Sequence, residues 1–129
     1  MNIVLLDDNP ADCKIFQLML NDVDKSYGLQ IFHSAAETMA YLENAATEPR
    51  LAVSGIVLDL NVPKTDGFEV LKWLKSSPGL ANIPVAVLSS SQNAEDKMKV
   101  ERENASYFTK SMKLAEMRET VKKIAALFA

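Results

Sequence analysis

Short runs of β-branched and leucine residues alternate, from one end of the chain to the other, with longer stretches of helical period. This alternation constrains the fold more than any other feature. The runs are Ile3-Leu6, Leu29-Phe32, Gly55-Leu58, Val85-Leu88 and Ser106-Thr109. Three of them are apolar on nearly successive residues, which suits strands buried on both faces. Between them, helices are expected from Pro10, over Ala35-Asn44, Gly67-Lys75 and Ala94-Glu103, and last from Leu114. Asn9 can cap the first helix, Pro10 fits its opening position, and Asp12 adds a carboxylate to its first turn. Ala45-Ser54 is expected to be loop. The final helix carries Leu114, Met117, Val121, Ile124 and Phe128 as a one-sided stripe.

Five strands alternating with five helices call for a parallel sheet covered on both faces. Right-handed crossovers leave few topologies, and the flavodoxin-like order 2-1-3-4-5 is expected: an α/β (βα)5 three-layer sandwich. No repeat, low-complexity tract or linker interrupts it, so residues 1–129 read as one domain. The net charge of −3 offers no global attraction to nucleic acid or anionic lipid. A lone cysteine, Cys13, makes no internal disulfide and fits a reducing compartment. No apolar run nears the ~20 residues that span a bilayer. Localisation is expected to be cytoplasmic.

In such sheets, ligands gather at the carboxyl ends of the strands. Those ends carry Asp7 and Asp8, then Asp59, Ser89 and Lys110. Clustered carboxylates repel unless a cation sits among them. Mg²⁺ fits, because it takes a few carboxylate oxygens and shares its remaining positions with phosphate. Lys110 and Ser89 supply donors to phosphoryl oxygens. Together these groups suit phosphoryl transfer to a carboxylate, a nucleophile that needs no deprotonation.

The segments Leu5-Leu6-Asp7-Asp8-Asn9-Pro10-Ala11-Asp12, Val57-Leu58-Asp59-Leu60-Asn61-Val62-Pro63-Lys64-Thr65-Asp66-Gly67, Pro84-Val85-Ala86-Val87-Leu88-Ser89 and Tyr107-Phe108-Thr109-Lys110 stand in order, each on its expected element. Over its whole length the chain resembles a two-component response-regulator receiver domain. It is similar to the small single-domain receivers associated with phytochrome-type histidine kinases. The resemblance implies that Asp59 accepts the phosphoryl group. It also implies that Asp8 and Asp59 bind Mg²⁺ directly, Asp7 through water and Asn61 through its main-chain carbonyl. Ser89 and Lys110 would contact the phosphoryl group, and Tyr107 would swing inward with the Ser89 hydroxyl. Pro63 and Gly67 would shape the loop into the third helix, Gly67 through backbone geometry. The donor would be a phosphohistidine on a sensor histidine kinase or a histidine phosphotransfer protein.

Two positions depart from the family pattern. Ser111 follows Lys110 where the family has a cis-proline; a cis bond before a non-proline residue costs about 3 kcal/mol, so a trans bond is expected. Asn104-Ala105 replaces Gly-Ala ahead of the fifth strand, and Asn tolerates the left-handed conformation.

No DNA-binding or enzymatic segment follows Ala129, so the expected output is a contact with a downstream protein. The kinase would approach near the first helix, and the output contact would use the fourth helix, fifth strand and fifth helix. The alternative is a phosphorylation-independent adaptor on the same fold, supported only by Ser111. An enzyme acting on an external substrate fits poorly. Asp7 and Asp8 would repel a flavin phosphate, and Asn61 stands where a phosphatase of the haloacid-dehalogenase type places a second acid. His33, the only histidine, is read as structural or surface, and Trp73 as either outward-facing or flat on its own helix.

Overall fold

A computed structural model describes residues 2–60, 67–90 and 93–129. The elements are β1 (Asn2–Leu6), α1 (Pro10–Val23), β2 (Gly28–Phe32), α2 (Ala35–Thr47), β3 (Gly55–Leu58), α3 (Gly67–Ser76), β4 (Val85–Ser89), α4 (Ala94–Arg102), β5 (Ser106–Thr109) and α5 (Leu114–Phe128). The five strands form one parallel sheet in the order β2-β1-β3-β4-β5, as the alternation predicts.

The pleat divides the core into two layers, because successive side chains on a strand face opposite ways. Val4, Leu6, Ile56, Leu58, Val85 and Val87 face α2, α3 and α4, where Leu42, Val70, Leu71, Leu74 and Val100 meet them. Ile3, Leu5, Val57, Ala86 and Leu88 face α1 and α5, against Phe16, Leu20, Met117, Val121 and Ile124. Both faces of the three inner strands are thereby buried, which is why their sequences are continuous rather than alternating.

The first helix starts as its sequence dictates. The Asn9 side chain accepts the backbone N–H groups of Ala11 and Asp12, and Pro10 opens the helix. Asn104 takes the left-handed conformation at φ 57°, as its replacement of glycine requires. Every described peptide bond is trans, Lys110–Ser111 included.

Two expectations fail. Ala45-Ser54 is not all loop: α2 runs on to Thr47, and a 3₁₀ turn follows over Pro49–Leu51. Ala45 and Ala46 are strong helix formers, and Pro49 fits the opening of the turn, where the Glu48 side chain accepts the Arg50 N–H. Leu114 does not join the buried stripe of α5 and stays 66% exposed, because the first residue of the helix projects beyond the layer that Met117 starts. Trp73 is partly buried and packs against the α2–α3–α4 layer.

Gly67 opens α3 without a positive φ; its role is close approach. A Cβ there would lie 2.7 Å from the Leu60 Cα and 2.8 Å from the Asp59 carbonyl oxygen. Those atoms are backbone and cannot swing aside. Gly67→Ala is therefore expected to destabilise the fold by about 1–3 kcal/mol in urea unfolding, with the strain falling on the peptide of Asp59.

Candidate functional site

The sheet ladder extends one step past the end of three strands, and each extension fixes a charged residue. The Asp7 N–H donates to the Phe32 carbonyl (3.1 Å), the Asp59 N–H to the Leu6 carbonyl (3.0 Å), and the Lys110 N–H to the Ser89 carbonyl (2.8 Å). Asp7, Asp59 and Lys110 are thus carried on the frame of the sheet rather than on loose loops, which is how a site acquires precision. Ser89 ends β4 fully buried, and Tyr107 on β5 packs half-buried toward the α2–α3–α4 layer.

The side chains of Asp7, Asp8 and Asp59 converge. Each offers a carboxylate oxygen within 4.8 Å of the others, with Asp7 and Asp59 buried and Asp8 half-buried. Hard oxygen donors gathered this closely suit a divalent cation. The sequence reading also assigned the Asn61 carbonyl and Pro63 to this region; both lie outside the described residues.

Lys110 is the counter-charge. Its ammonium bonds Asp7 Oδ2 at 2.9 Å, Asp12 Oδ2 at 2.9 Å and Asp59 Oδ2 at 3.3 Å. Burial acts to lower the pKa of this ammonium, but the hydrogen bonds to Asp7 and Asp12 and the attraction of Asp59 outweigh it and hold the group above the ordinary lysine range. Asp7 moves upward from the usual carboxylate value. Burial is the largest cause, opposed by the Asn9 N–H and by Lys110, and reinforced by the nearby charge of Asp59. Lys110 reaches the carboxylates although Ser111 replaces the family's proline.

Asp12 is the member that sequence reasoning missed. Its place in the first turn of α1 has a sufficient explanation in the helix dipole, so nothing in the sequence required a second role. Only its four-residue offset from Asp8, one turn into a helix beginning at Pro10, could have placed it on the same rim.

The remaining neighbours of the Asp7 backbone are structural. The His33 ring bonds the Asp7 carbonyl through Nδ1 at 2.9 Å, and since a carbonyl only accepts, Nδ1 carries the proton. The Cys13 thiol donates to the same oxygen at 3.4 Å. Burial first, then the charge of Asp7, pushes that thiol up to about 11, so it stays protonated and unreactive. His33 fits the structural reading that the sequence gave it, and Cys13 is buried with a free thiol.

On the α1–α5 side, Leu18 (54% exposed) and Leu114 (66%) flank an open groove of about 540 Å³. Arg118 and Asp22 pair across its edge at 3.1 Å. Among the described residues, no helix is long and apolar enough to cross a membrane.

The pattern of the family described as the response regulator receiver domain matches residues 3–122. The chain is 36% identical over 126 residues to response regulator Rcp1 of a Synechocystis species, covering 95% of this chain and 84% of that protein. Among solved structures it is similar to the phosphorylated cyanobacterial phytochrome response regulator RcpA, with a TM-score of 0.86 at 36% identity, covering 98% of this chain and 92% of that one. It is also similar to the Mn²⁺-bound form of Rcp1, with a TM-score of 0.85 at 32% identity, covering 98% and 93%. The sheet order, the acidic rim and these likenesses agree: the chain belongs to the response-regulator receiver domains of two-component signalling.

Proposed function

We propose that residues 1–129 form one receiver domain that takes a phosphoryl group onto Asp59 from a phosphohistidine, on a sensor histidine kinase or a histidine phosphotransfer protein, and signals in the cytoplasm through a changed protein contact. The observation that carries this reading is the convergence of three carboxylates with one lysine at the carboxyl edge of the sheet. The RcpA and Rcp1 structures add support: one is phosphorylated and the other holds Mn²⁺.

Asp8 and Asp59 would hold Mg²⁺ directly, Asp7 through water, and the Asn61 carbonyl would complete the protein ligands. When bound, the ion supplies positive charge against the phosphoryl oxygens. The chain's own residues do the rest. Asp59 is buried and its peptide is tied to β1, so its carboxylate is positioned before the donor arrives. One carboxylate oxygen forms a bond to phosphorus while the P–N bond breaks. The bonding pair leaves with that imidazole nitrogen, and the ring departs as neutral imidazole because its other nitrogen carries a proton. Lys110 offers its ammonium to the transferred oxygens, and Ser89 its hydroxyl. Tyr107 is the proposed responder, moving inward as the Ser89 hydroxyl turns to the phosphate. No external substrate is turned over, so the protein is not an enzyme in the usual sense.

The exposed leucines between α1 and α5 support an approach of the phosphodonor on that face, while α4, β5 and α5 remain the proposed output surface. The adaptor reading drew on Ser111; that Lys110 reaches Asp7 and Asp59 with Ser111 in place supports the phosphoacceptor reading instead.

Phosphoramidate carries the P–N bond of a phosphohistidine and makes a suitable test donor. With Mg²⁺ it is expected to label the wild type once and to leave Asp59→Asn unlabelled. Equal labelling of both proteins would contradict the proposal.

A further inference from the structure

An ammonium has three N–H donors. Lys110 directs its ammonium at three carboxylates, Asp7, Asp12 and Asp59. A phosphoryl oxygen that requires this ammonium must therefore displace one of them. The three differ in what holds them. The Asp7 side chain is 4% exposed, and its other oxygen accepts the Asn9 N–H at 2.9 Å. Asp59 is the residue modified, at 7% exposure. Asp12 is 38% exposed and sits on the first turn of α1. Water can replace the lysine around Asp12 at small cost, whereas releasing Asp7 would strand a charge in the protein interior.

We propose that Asp12 is a positioning residue that holds Lys110 in a resting place and competes with the phosphoryl group for it. Asp12 acts through Lys110 and stands apart from the three carboxylates that converge for a metal. Its charge also faces every anionic donor that enters the rim. Asp12 thereby restrains phosphorylation: the ammonium is handed from an aspartate to the phosphoryl oxygens only when transfer supplies a better acceptor. The inference rests on Asp59 being the acceptor.

The experiment measures labelling by acetyl phosphate at saturating Mg²⁺ for the wild type, Asp12→Asn and Asp12→Glu. Asp12→Asn keeps the size of the side chain and removes the charge that competes. Its labelling rate is expected to rise about three- to tenfold, while Mg²⁺ affinity changes less than about threefold. The increase should persist in 0.5 M salt, because a bonded competitor is screened less than a distant charge. Asp12→Glu keeps a carboxylate within reach of Lys110 and should stay near the wild-type rate. A residue that only supports the helix could slow labelling when lost but would not accelerate it. A wild type that is labelled, beside an Asp12→Asn that is no faster, overturns the inference alone. Failure of all three proteins to be labelled overturns the acceptor reading, and the inference falls with it.

Discussion

Lys110→Ala is expected to destabilise the metal-free protein by about 2–4 kcal/mol, at the lower side of what breaking a buried ion pair costs. The effect is large because one ammonium serves three carboxylates, two of them with side chains under a tenth exposed. Removing it leaves Asp7 and Asp59 facing each other with no cation between them. The figure stays below the full buried-pair cost because Asp12 is open to water and Asp7 can take up a proton, which burial already favours. Two further results follow from the same geometry. Mg²⁺ should restore much of the lost stability, since it neutralises the same oxygens and binds only the folded state. Asp59→Asn should have the opposite sign and stabilise the metal-free protein, because it removes one of the repelling charges. Urea unfolding of the three proteins, each with and without Mg²⁺, checks all of this. A Lys110→Ala protein as stable as the wild type would mean that the ammonium is not the counter-charge of the rim.

Asp8→Asn carries the second large effect. Asp8 is the most exposed of the three converging carboxylates. Among the described contacts Lys110 bonds the other two and not Asp8, so the Asp8 charge is the most available to an incoming ion. An amide oxygen carries no net charge and binds a hard cation far more weakly than a carboxylate. Mg²⁺ affinity by calorimetry is expected to fall at least about tenfold in Asp8→Asn. Labelling of Asp59 should fall in step at fixed Mg²⁺ and recover in part at higher Mg²⁺. Asp8 lies at the surface end of the rim, so the fold should hold. Unchanged affinity in a folded Asp8→Asn protein would remove it from the metal site.

The rim was legible because it is written at strand ends. A strand buried on both faces is a recognisable apolar run, and the first charged residue after it, Asp7 or Asp59, falls at the carboxyl edge of the sheet by geometry, with Lys110 at the same edge after the half-buried outer strand β5. The sheet order followed from the alternation of elements and the handedness of crossovers. The parts that were not legible depend on tertiary contact or have two sufficient explanations. Asp12 satisfies the helix dipole whether or not a lysine stands opposite, so its second role appears only when β5 is brought beside α1. Leu114 fits the spacing of the α5 stripe, but periodicity does not say how far the sheet beneath the helix extends. The end of α2 lies beyond Asn44 because Ala45 and Ala46 favour the helix, which stops just ahead of Pro49. Gly67 was read correctly as a backbone residue, yet the reason is the nearness of Asp59 and Leu60, which no local pattern contains.

The central claim is that the rim makes Asp59 a phosphoryl acceptor that depends on a divalent ion. It is tested most directly by treating the protein with acetyl phosphate, with Mg²⁺ or with a chelator, reducing the acyl phosphate with borohydride and mapping the modified peptide. The account predicts one modification, at Asp59, present with Mg²⁺ and absent with the chelator. Modification at another residue, or labelling of Asp59 to the same extent without any divalent ion, would contradict it.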